Sequence, residues 1–161
     1  MRTSIHALLV VATLTAGLRG QDHPNLSGTW VVVPSRSMWY DDGRPVNVTV
    51  YGTRFTAQQT DRVLTLKIEN EPGFTWTYRL DGAVSINVRP GPNGPEHTSS
   101  TTAWNDSTLI ITTTGSVNRN GTIEPAETMR TLRFNDDGTV RVEAPWGHNG
   151  EMIGSTYSRE Q

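Results

Sequence analysis

The sequence contains no cysteine and only one lysine, Lys67, in its 161 residues. Without cysteine the chain forms no disulfide and no thiolate metal site, so a hydrophobic core alone must hold the fold together. The 14 basic residues are outnumbered by 16 acidic ones, and the arginines form no cluster along the sequence. Since phosphate binding needs a basic patch, this charge pattern argues against nucleic acid as the main partner.

Long apolar runs are also scarce. The longest one, Ala7–Ala16, is broken only by Thr13 and Thr15 and falls far short of the roughly 20 residues that a membrane-spanning helix needs, so we expect no transmembrane segment. Arg2 precedes this run and small residues follow it, which is the order of a secretion signal. We therefore expect residues 1–20 to be a signal peptide, residues 21–161 to be one domain, and the protein to be secreted or periplasmic.

The rest of the chain has the composition of strands and turns. The clearest strand is Phe74–Leu80, in which aromatic and leucine side chains occupy every second position. Asp81-Gly82 then leads into Ala83–Val88, where valine and isoleucine again alternate with other residues. An Asp-Gly pair between two alternating runs predicts a β-hairpin.

The same pattern predicts a succession of further strands and therefore an antiparallel meander. About ten short strands with one apolar face each predict an all-β antiparallel sheet that closes into a barrel of eight to ten strands, although periodicity does not say which face lies inside. Three segments are predicted as loops: Pro34–Pro45, Arg89–Ser99 and Ser116–Glu127. The further predicted strands are Ser27–Val33, Val46–Tyr51, Arg54–Gln59, Val63–Glu69, Thr101–Trp104, Thr108–Thr114, Thr128–Phe134, Thr139–Ala144 and Glu151–Arg159.

The two ends of the predicted domain carry a family resemblance. The first strand opens with Asn-Leu-Ser-Gly-Thr-Trp at 25–30, and the last strand ends with Tyr-Ser-Arg at 157–159. These motifs resemble those of lipocalin-like (calycin-type) barrels, and most closely those of a group of secreted bacterial β-barrel proteins. The resemblance implies that Arg159 covers the indole of Trp30 through a cation–π contact.

Residues that could carry catalysis are few. His97 lies in a predicted Pro/Gly-rich loop and His148 in a Gly-rich turn, where they are either solvated side chains or acid–base partners across the barrel mouth. The pairs Asp41-Asp42 and Asp136-Asp137 precede glycine, which is ordinary turn chemistry. The sequence favours a non-catalytic role, and we predict no catalytic residue, metal ligand or cofactor.

The predicted loop Ser116–Glu127 resembles a calcium-binding loop in its spacing. Asn118, Asn120 and Gly121 fall at the third, fifth and sixth positions, and Glu127 at the twelfth. Against this, the first position is serine and the flanking segments are predicted strands. Asn-Gly is equally typical of a plain hairpin turn, so both interpretations stand at this point.

Aromatic residues give the leading functional hypothesis. Trp76, Tyr78 and Trp104 lie on predicted strands, while Trp39 and Tyr40 lie in the loop after the first strand. We expect the first three to line a barrel mouth that binds a small, partly apolar or amphipathic molecule, with Trp39 and Tyr40 forming a lid. The alternatives are a small hydrolase or isomerase using His97 or His148, and a filled barrel that serves as a structural or protein-contact module. The oligomeric state is not predicted.

Overall fold

The computed structural model describes residues 23–41, 44–47, 49–91, 94–119, 122–146 and 151–161, so the predicted signal peptide lies outside the described residues. The described chain consists of strands and one 3-10 turn at Pro34–Arg36 and contains no α-helix. None of its segments is a helix long and apolar enough to cross a membrane. The strands are β1 (Gly28–Val32), β2 (Met38–Asp41), β3 (Arg44–Asn47), β4 (Arg54–Gln59), β5 (Val63–Ile68), β6 (Trp76–Arg79), β7 (Ser85–Gly91), β8 (Gly94–Asn105), β9 (Thr108–Arg119), β10 (Thr122–Phe134), β11 (Val140–Trp146) and β12 (Glu151–Arg159).

Ten of these strands form one antiparallel sheet, and β2 pairs with β3 in a separate hairpin. The order in the large sheet is β6-β5-β4-β1-β12-β11-β10-β9-β8-β7, so that β1 joins the first and last parts of the meander. The edge strands β6 and β7 lie next to each other, and the sheet nearly closes into a barrel. The predicted all-β antiparallel barrel of eight to ten strands is confirmed.

The β-hairpin predicted around Asp81-Gly82 is not formed, because β6 and β7 are the two edges of the sheet and side chains, rather than a backbone ladder, join them. The backbone N–H of Arg79 donates to Ser85 Oγ at 2.6 Å, and that of Thr77 donates to Asn87 Oδ1 at 2.8 Å. Asn87 Nδ2 in turn donates to the carbonyl of Thr77 at 3.0 Å, and Thr102 Oγ1 donates to that of Arg79 at 2.5 Å. These bonds give partners to backbone groups that an edge strand would otherwise leave unpaired.

This seam fixes the orientation of β7, which the alternation of its residues left open. Ser85 and Asn87 point into the barrel and are buried, while Ile86, the apolar residue between them, is 67% exposed on the outer face together with its neighbours Val84 and Val88. The alternation predicted from the sequence is therefore present, but its polar side lies inside. The reason is that the edge backbone of β6 needs hydrogen-bond partners, which only the polar side chains supply.

The barrel has two distinguishable ends, because successive connections of an antiparallel meander lie at opposite ends. We call the end that holds residues 23–27 and 160–161 and the turns after β4, β6, β8 and β10 the terminal end. The end that receives the connections from β1 to β4 and from β5 to β6 is called the loop end. The core between them consists of buried side chains from both halves of the sheet, the largest being Trp30, Tyr51, Tyr78, Tyr157, Phe55, Leu26, Leu64, Leu66, Leu109, Ile111, Leu132 and Val140.

All three predicted loops contain strands, and one predicted strand is a loop. The predicted loop Pro34–Pro45 holds β2 and the start of β3, which pair as a hairpin. Residues 89–99 contain the end of β7 and the start of β8, with Pro90 opposite Pro95. Proline is tolerated there because β7 is an edge strand and Pro95 precedes the described pairing of β8 with β9. The prediction for Val46–Tyr51 was wrong, since β3 ends at Asn47 and the described residues 49–53 form a turn that enters the barrel.

The segment Ser116–Glu127 is a hairpin and not a curled calcium loop. Ser116 pairs with Pro125 and Thr114 with Glu127 in the ladder between β9 and β10. Side chains alternate between the two faces of a strand, so the carboxylates of Glu124 and Glu127 cannot converge on one ion. Asn120 and Gly121 lie outside the described residues, and within the described ones no group of three His, Asp or Glu side chains could hold a metal.

Candidate binding site at the loop end

Two of the predicted site residues lie together inside the barrel. Trp76 and Tyr78 are buried on β6 with parallel rings whose centroids are 6.2 Å apart. Phe74 meets Trp76 edge-on at 5.0 Å and is partly exposed. Trp104 does not join them, because it ends β8 at the terminal end and stacks on His23 at 4.4 Å.

The remaining predicted residues do not extend this group. Trp39 and Tyr40 belong to β2, which pairs with β3 and contacts β12, but their side chains are not described and the lid stays a prediction. His97 is exposed on β8, opposite Val88 in the register. His148 lies outside the described residues.

The second aspartate pair, Asp136-Asp137, lies in a turn that Asp137 stabilises through hydrogen bonds. Asp137 accepts hydrogen bonds from the hydroxyl of Thr139 at 2.6 Å and from Arg36 at 2.7 Å. The Thr139 bonds and then the Arg36 guanidinium lower the pKa of the Asp137 carboxyl to about 2. Asp137 thus stabilises the turn between β10 and β11, as expected for an aspartate before glycine.

An arginine that the sequence did not single out lies at the centre of the candidate site. Arg130 is in phase with Leu132 on β10, so its side chain points into the barrel and is partly buried. Its guanidinium carbon lies 5.8 Å from the ring centroid of Tyr51 and 5.7 Å from that of Trp76. In the part of the chain that the structure describes, no carboxylate forms an ion pair with Arg130.

The two phenols beside this arginine are also unsatisfied. Tyr51 and Tyr78 are 1% and 0% exposed, and among the described residues their hydroxyls are the only buried side-chain polar atoms that lack a hydrogen-bond partner. Burial raises the pKa of both phenols. Arg130 opposes that rise through its positive charge and through its N–H groups, which approach the phenol oxygens without reaching full hydrogen-bond geometry. A buried hydroxyl without a partner costs about 1–3 kcal/mol of stability, so the pair needs an explanation beyond packing.

We call Arg130, Tyr51, Trp76 and Tyr78 the Arg130 cluster. One carboxylate borders this cluster and has a fixed position. Glu71, in the turn between β5 and β6, accepts a hydrogen bond from Trp76 Nε1 at 2.7 Å. Its negative charge raises the pKa of Tyr51 and of Tyr78. Burial alone would lower the pKa of Arg130, but the oxygens of both tyrosines and of Glu71 outweigh it, so the guanidinium stays charged.

A turn held by hydrogen bonds to β12 places Tyr51 in the cluster. The Tyr157 hydroxyl accepts a hydrogen bond from the Tyr51 backbone N–H at 2.9 Å and donates to the carbonyl of Gly52 at 3.1 Å. The N–H of Val50 donates to Ser155 Oγ at 3.1 Å. Tyr157 is therefore a buried tyrosine with a satisfied hydroxyl, and it holds the turn that carries an unsatisfied one.

The terminal end shows the contact that the family resemblance implies. The guanidinium carbon of Arg159 lies 4.9 Å from the ring centroid of Trp30, and Arg159 Nη2 donates to the carbonyl of Asn25 at 3.0 Å. Trp30 is 1% exposed and its Nε1 donates to the carbonyl of Leu26 at 2.7 Å. The predicted cover of Trp30 by Arg159 is confirmed.

A shallow cleft on the outer side of β4 and β5 is a weaker candidate. Its volume is about 290 Å³, and its charged side chains include Arg54, Lys67 and Glu69. Arg54 is already paired with Glu160 at 2.5 Å, and Glu69 accepts a hydrogen bond from Thr53 at 2.7 Å. The Arg130 cluster is the better site because its polar groups are buried and unsatisfied.

Sequence reasoning missed Arg130 and Glu71, and it assigned Tyr51 to a strand. A signal for Arg130 was present: Arg130, Leu132 and Phe134 occupy every second position of one predicted strand. An arginine in phase with the core face is unusual and indicates a functional or paired charge. Glu71 and Tyr51 lie in connections, where periodicity gives no orientation.

No protein-family model matches the chain, and comparisons with curated proteins and with solved structures find no similar protein. The nearly closed antiparallel barrel is compatible with a lipocalin-like fold. What this barrel does must therefore be inferred from its own residues.

Proposed function

We propose that this chain is a secreted or periplasmic, non-catalytic binding protein of the lipocalin-like (calycin-type) class, and that it holds a small, partly apolar molecule against Arg130. One observation carries the proposal. Two fully buried phenols without hydrogen-bond partners adjoin a guanidinium that has no carboxylate partner among the described residues. Because buried polar groups are nearly always satisfied in folded proteins, such a cluster is typical of a site whose missing partner is a ligand.

The surroundings of Arg130 supply the apolar half of such a site. Phe74 is partly exposed and packs edge-on against Trp76, which forms one wall of the cluster. Small-molecule sites typically combine aromatic lining with a few fixed polar groups, and this arrangement has both. Arg130, Glu71 and Phe74 are each only partly buried, so this side of the cluster reaches the surface, while the two phenol hydroxyls lie beneath it.

The hydrolase or isomerase alternative has no comparable support. His97 is exposed on β8 and pairs in the register with Val88, which is on the outer face. A general base must lie within hydrogen-bond reach of the group that it serves and is normally oriented by a third residue. No hydrogen bond or ion pair orients His97 within the described residues.

Native mass spectrometry of the mature protein purified from its own host tests the proposal. The wild type, Arg130→Gln and the control Arg133→Gln are compared, since Arg133 is an exposed arginine three residues along the same strand. We expect a small molecule bound to the wild type and to Arg133→Gln, released on denaturation, and absent from Arg130→Gln. Clean unliganded masses for all three, with no binding of an apolar probe by calorimetry, would contradict the proposal and favour the filled barrel.

A further inference from the structure

We infer that the ligand of the Arg130 cluster is an organic monocarboxylate, an apolar body that carries a single carboxylate group. This inference rests on the binding function proposed above and specifies the chemistry of the ligand. It follows from the number and the chemistry of the donors at the site and from the sign of the charge beside them.

Two aromatic rings, and no described carboxylate, contact the guanidinium of Arg130. The Tyr51 and Trp76 rings lie at 5.8 Å and 5.7 Å from the guanidinium carbon of Arg130, at the distance of cation–π contacts. The five N–H donors of arginine lie in the guanidinium plane, so ring contacts do not consume them. Two parallel N–H groups fit the two oxygens of a carboxylate better than any neutral acceptor.

The two phenols add donors of the same kind. The hydroxyls of Tyr51 and Tyr78 adjoin the Arg130 guanidinium, and neither donates its own proton to an acceptor among the described residues. A carboxylate offers about four lone-pair sites, enough for a bidentate arginine and two phenol donors. An alcohol or an ester brings no charge, so its hydrogen bonds to the guanidinium lack the charge assistance that a carboxylate provides.

Glu71 limits the charge that the ligand brings. Its carboxylate is fixed by the 2.7 Å hydrogen bond from Trp76 Nε1, and its charge acts on both phenols and on Arg130. Arg130 and Glu71 together bring one positive and one negative charge to the site. A monoanion is attracted by Arg130, whereas the second negative charge of a phosphate ester adds repulsion from Glu71.

Calorimetry with three matched probes tests the inference: naphthoate, naphthalenemethanol and naphthyl phosphate share one apolar body. We expect the wild type and Arg133→Gln to bind naphthoate about 10- to 100-fold tighter than naphthalenemethanol, the range for a charge-assisted pair. In Arg130→Gln this preference should vanish while naphthalenemethanol binds as before. The double variant Tyr51→Phe/Tyr78→Phe, which keeps the rings, should lower the preference several-fold even if Arg130→Gln fails to fold.

Glu71→Gln keeps the acceptor for Trp76 and removes only the charge, so it should bind naphthyl phosphate several-fold tighter than the wild type does. Equal affinities of the wild type for naphthoate and naphthalenemethanol would overturn the inference and leave the binding function intact. Tighter binding of naphthyl phosphate than of naphthoate to the wild type would overturn the inference in the same way. If none of the three probes binds the wild type, the proposed function itself is contradicted.

Discussion

Arg159 and Arg130 lie over aromatic rings at opposite ends of the barrel, and their surroundings differ. At the terminal end, Arg159 donates to the carbonyl of Asn25 and Trp30 donates to that of Leu26. At the loop end, Arg130 has no described carboxylate partner and the adjoining phenols have no hydrogen bond. The first arginine completes a structure, while the second belongs to a set of donors that lacks an acceptor.

The two ends differ in whether their buried polar groups have hydrogen-bond partners, and not in the packing of their apolar side chains. A continuous aromatic contact runs from Trp30 to Phe55 at 6.3 Å and from Phe55 to Tyr51 at 5.3 Å. The core is therefore filled up to the edge of the Arg130 cluster. A fold that needed only stability would place phenylalanine at the two unsatisfied tyrosine positions, so the hydroxyls indicate a function.

The largest expected effect concerns the terminal end. Trp30→Ala should lower the free energy of unfolding by about 3–5 kcal/mol, because it removes a fully buried indole together with the support for Arg159. Chemical denaturation of the ligand-free protein measures this loss. Trp104→Ala is the matched control and should cost less, since Trp104 is only partly buried. A loss below about 1 kcal/mol for Trp30→Ala would show that Trp30 is not part of the core.

A smaller change in the free energy of unfolding should distinguish the tyrosine whose hydroxyl is hydrogen-bonded from one whose hydroxyl is not. Tyr157→Phe should cost about 1–2 kcal/mol, because the Tyr51 N–H and the Gly52 carbonyl lose their partner. Tyr78→Phe makes the same chemical change where no bond exists, so stability should stay the same or rise by up to about 1 kcal/mol. Equal losses for the two variants in denaturant titrations would mean that the Tyr78 hydroxyl is already satisfied.

The smallest expected effect is acid sensitivity at the terminal end. The pKa of Asp81 is lowered to about 2 by its bonds to Arg79 and the Ala83 N–H, and that of Asp137 to about 2 by Thr139 and Arg36. Both folded values lie below the unfolded value of about 3.9, so this stabilisation is complete above about pH 4 and is lost toward pH 2. Thermal melts of Asp137→Asn should therefore show a smaller drop over this range than those of the wild type. An identical drop would show that Asp137 contributes nothing to the acid sensitivity.

The sequence predicted the barrel because period-two patterning and turn chemistry are local properties. The alternation along Phe74–Leu80 and the Asp136-Asp137 turn are examples in which near neighbours decide the structure. The hairpin predicted around Asp81-Gly82 is a counter-example, because β6 and β7 form no backbone ladder. The orientation of β7 was not predictable in this way. Its polar side faces inward to serve the backbone of β6, a requirement that exists only once the sheet has curled around.

The candidate site was predicted only in part for the same reason. Trp76 and Tyr78 were expected to line a site because they alternate on one strand, and the structure places both beside Arg130. Trp104 is also an aromatic residue on a strand, but it lies at the terminal end. Its position along the barrel depends on strand direction and register. Tyr51 and Glu71 come from connections and reach the cluster through tertiary hydrogen bonds, to Tyr157 and from Trp76 respectively.

The most direct test of the central claim compares the two arginines by the same substitution. Arg159→Met and Arg130→Met are each measured for the free energy of unfolding without ligand. We predict that Arg159→Met loses about 1 kcal/mol, the range of an exposed cation–π contact, while Arg130→Met is at least as stable as the wild type. A loss of more than about 3 kcal/mol for Arg130→Met would contradict the claim, because it would show that Arg130 is a structural ion with its partners already in the protein.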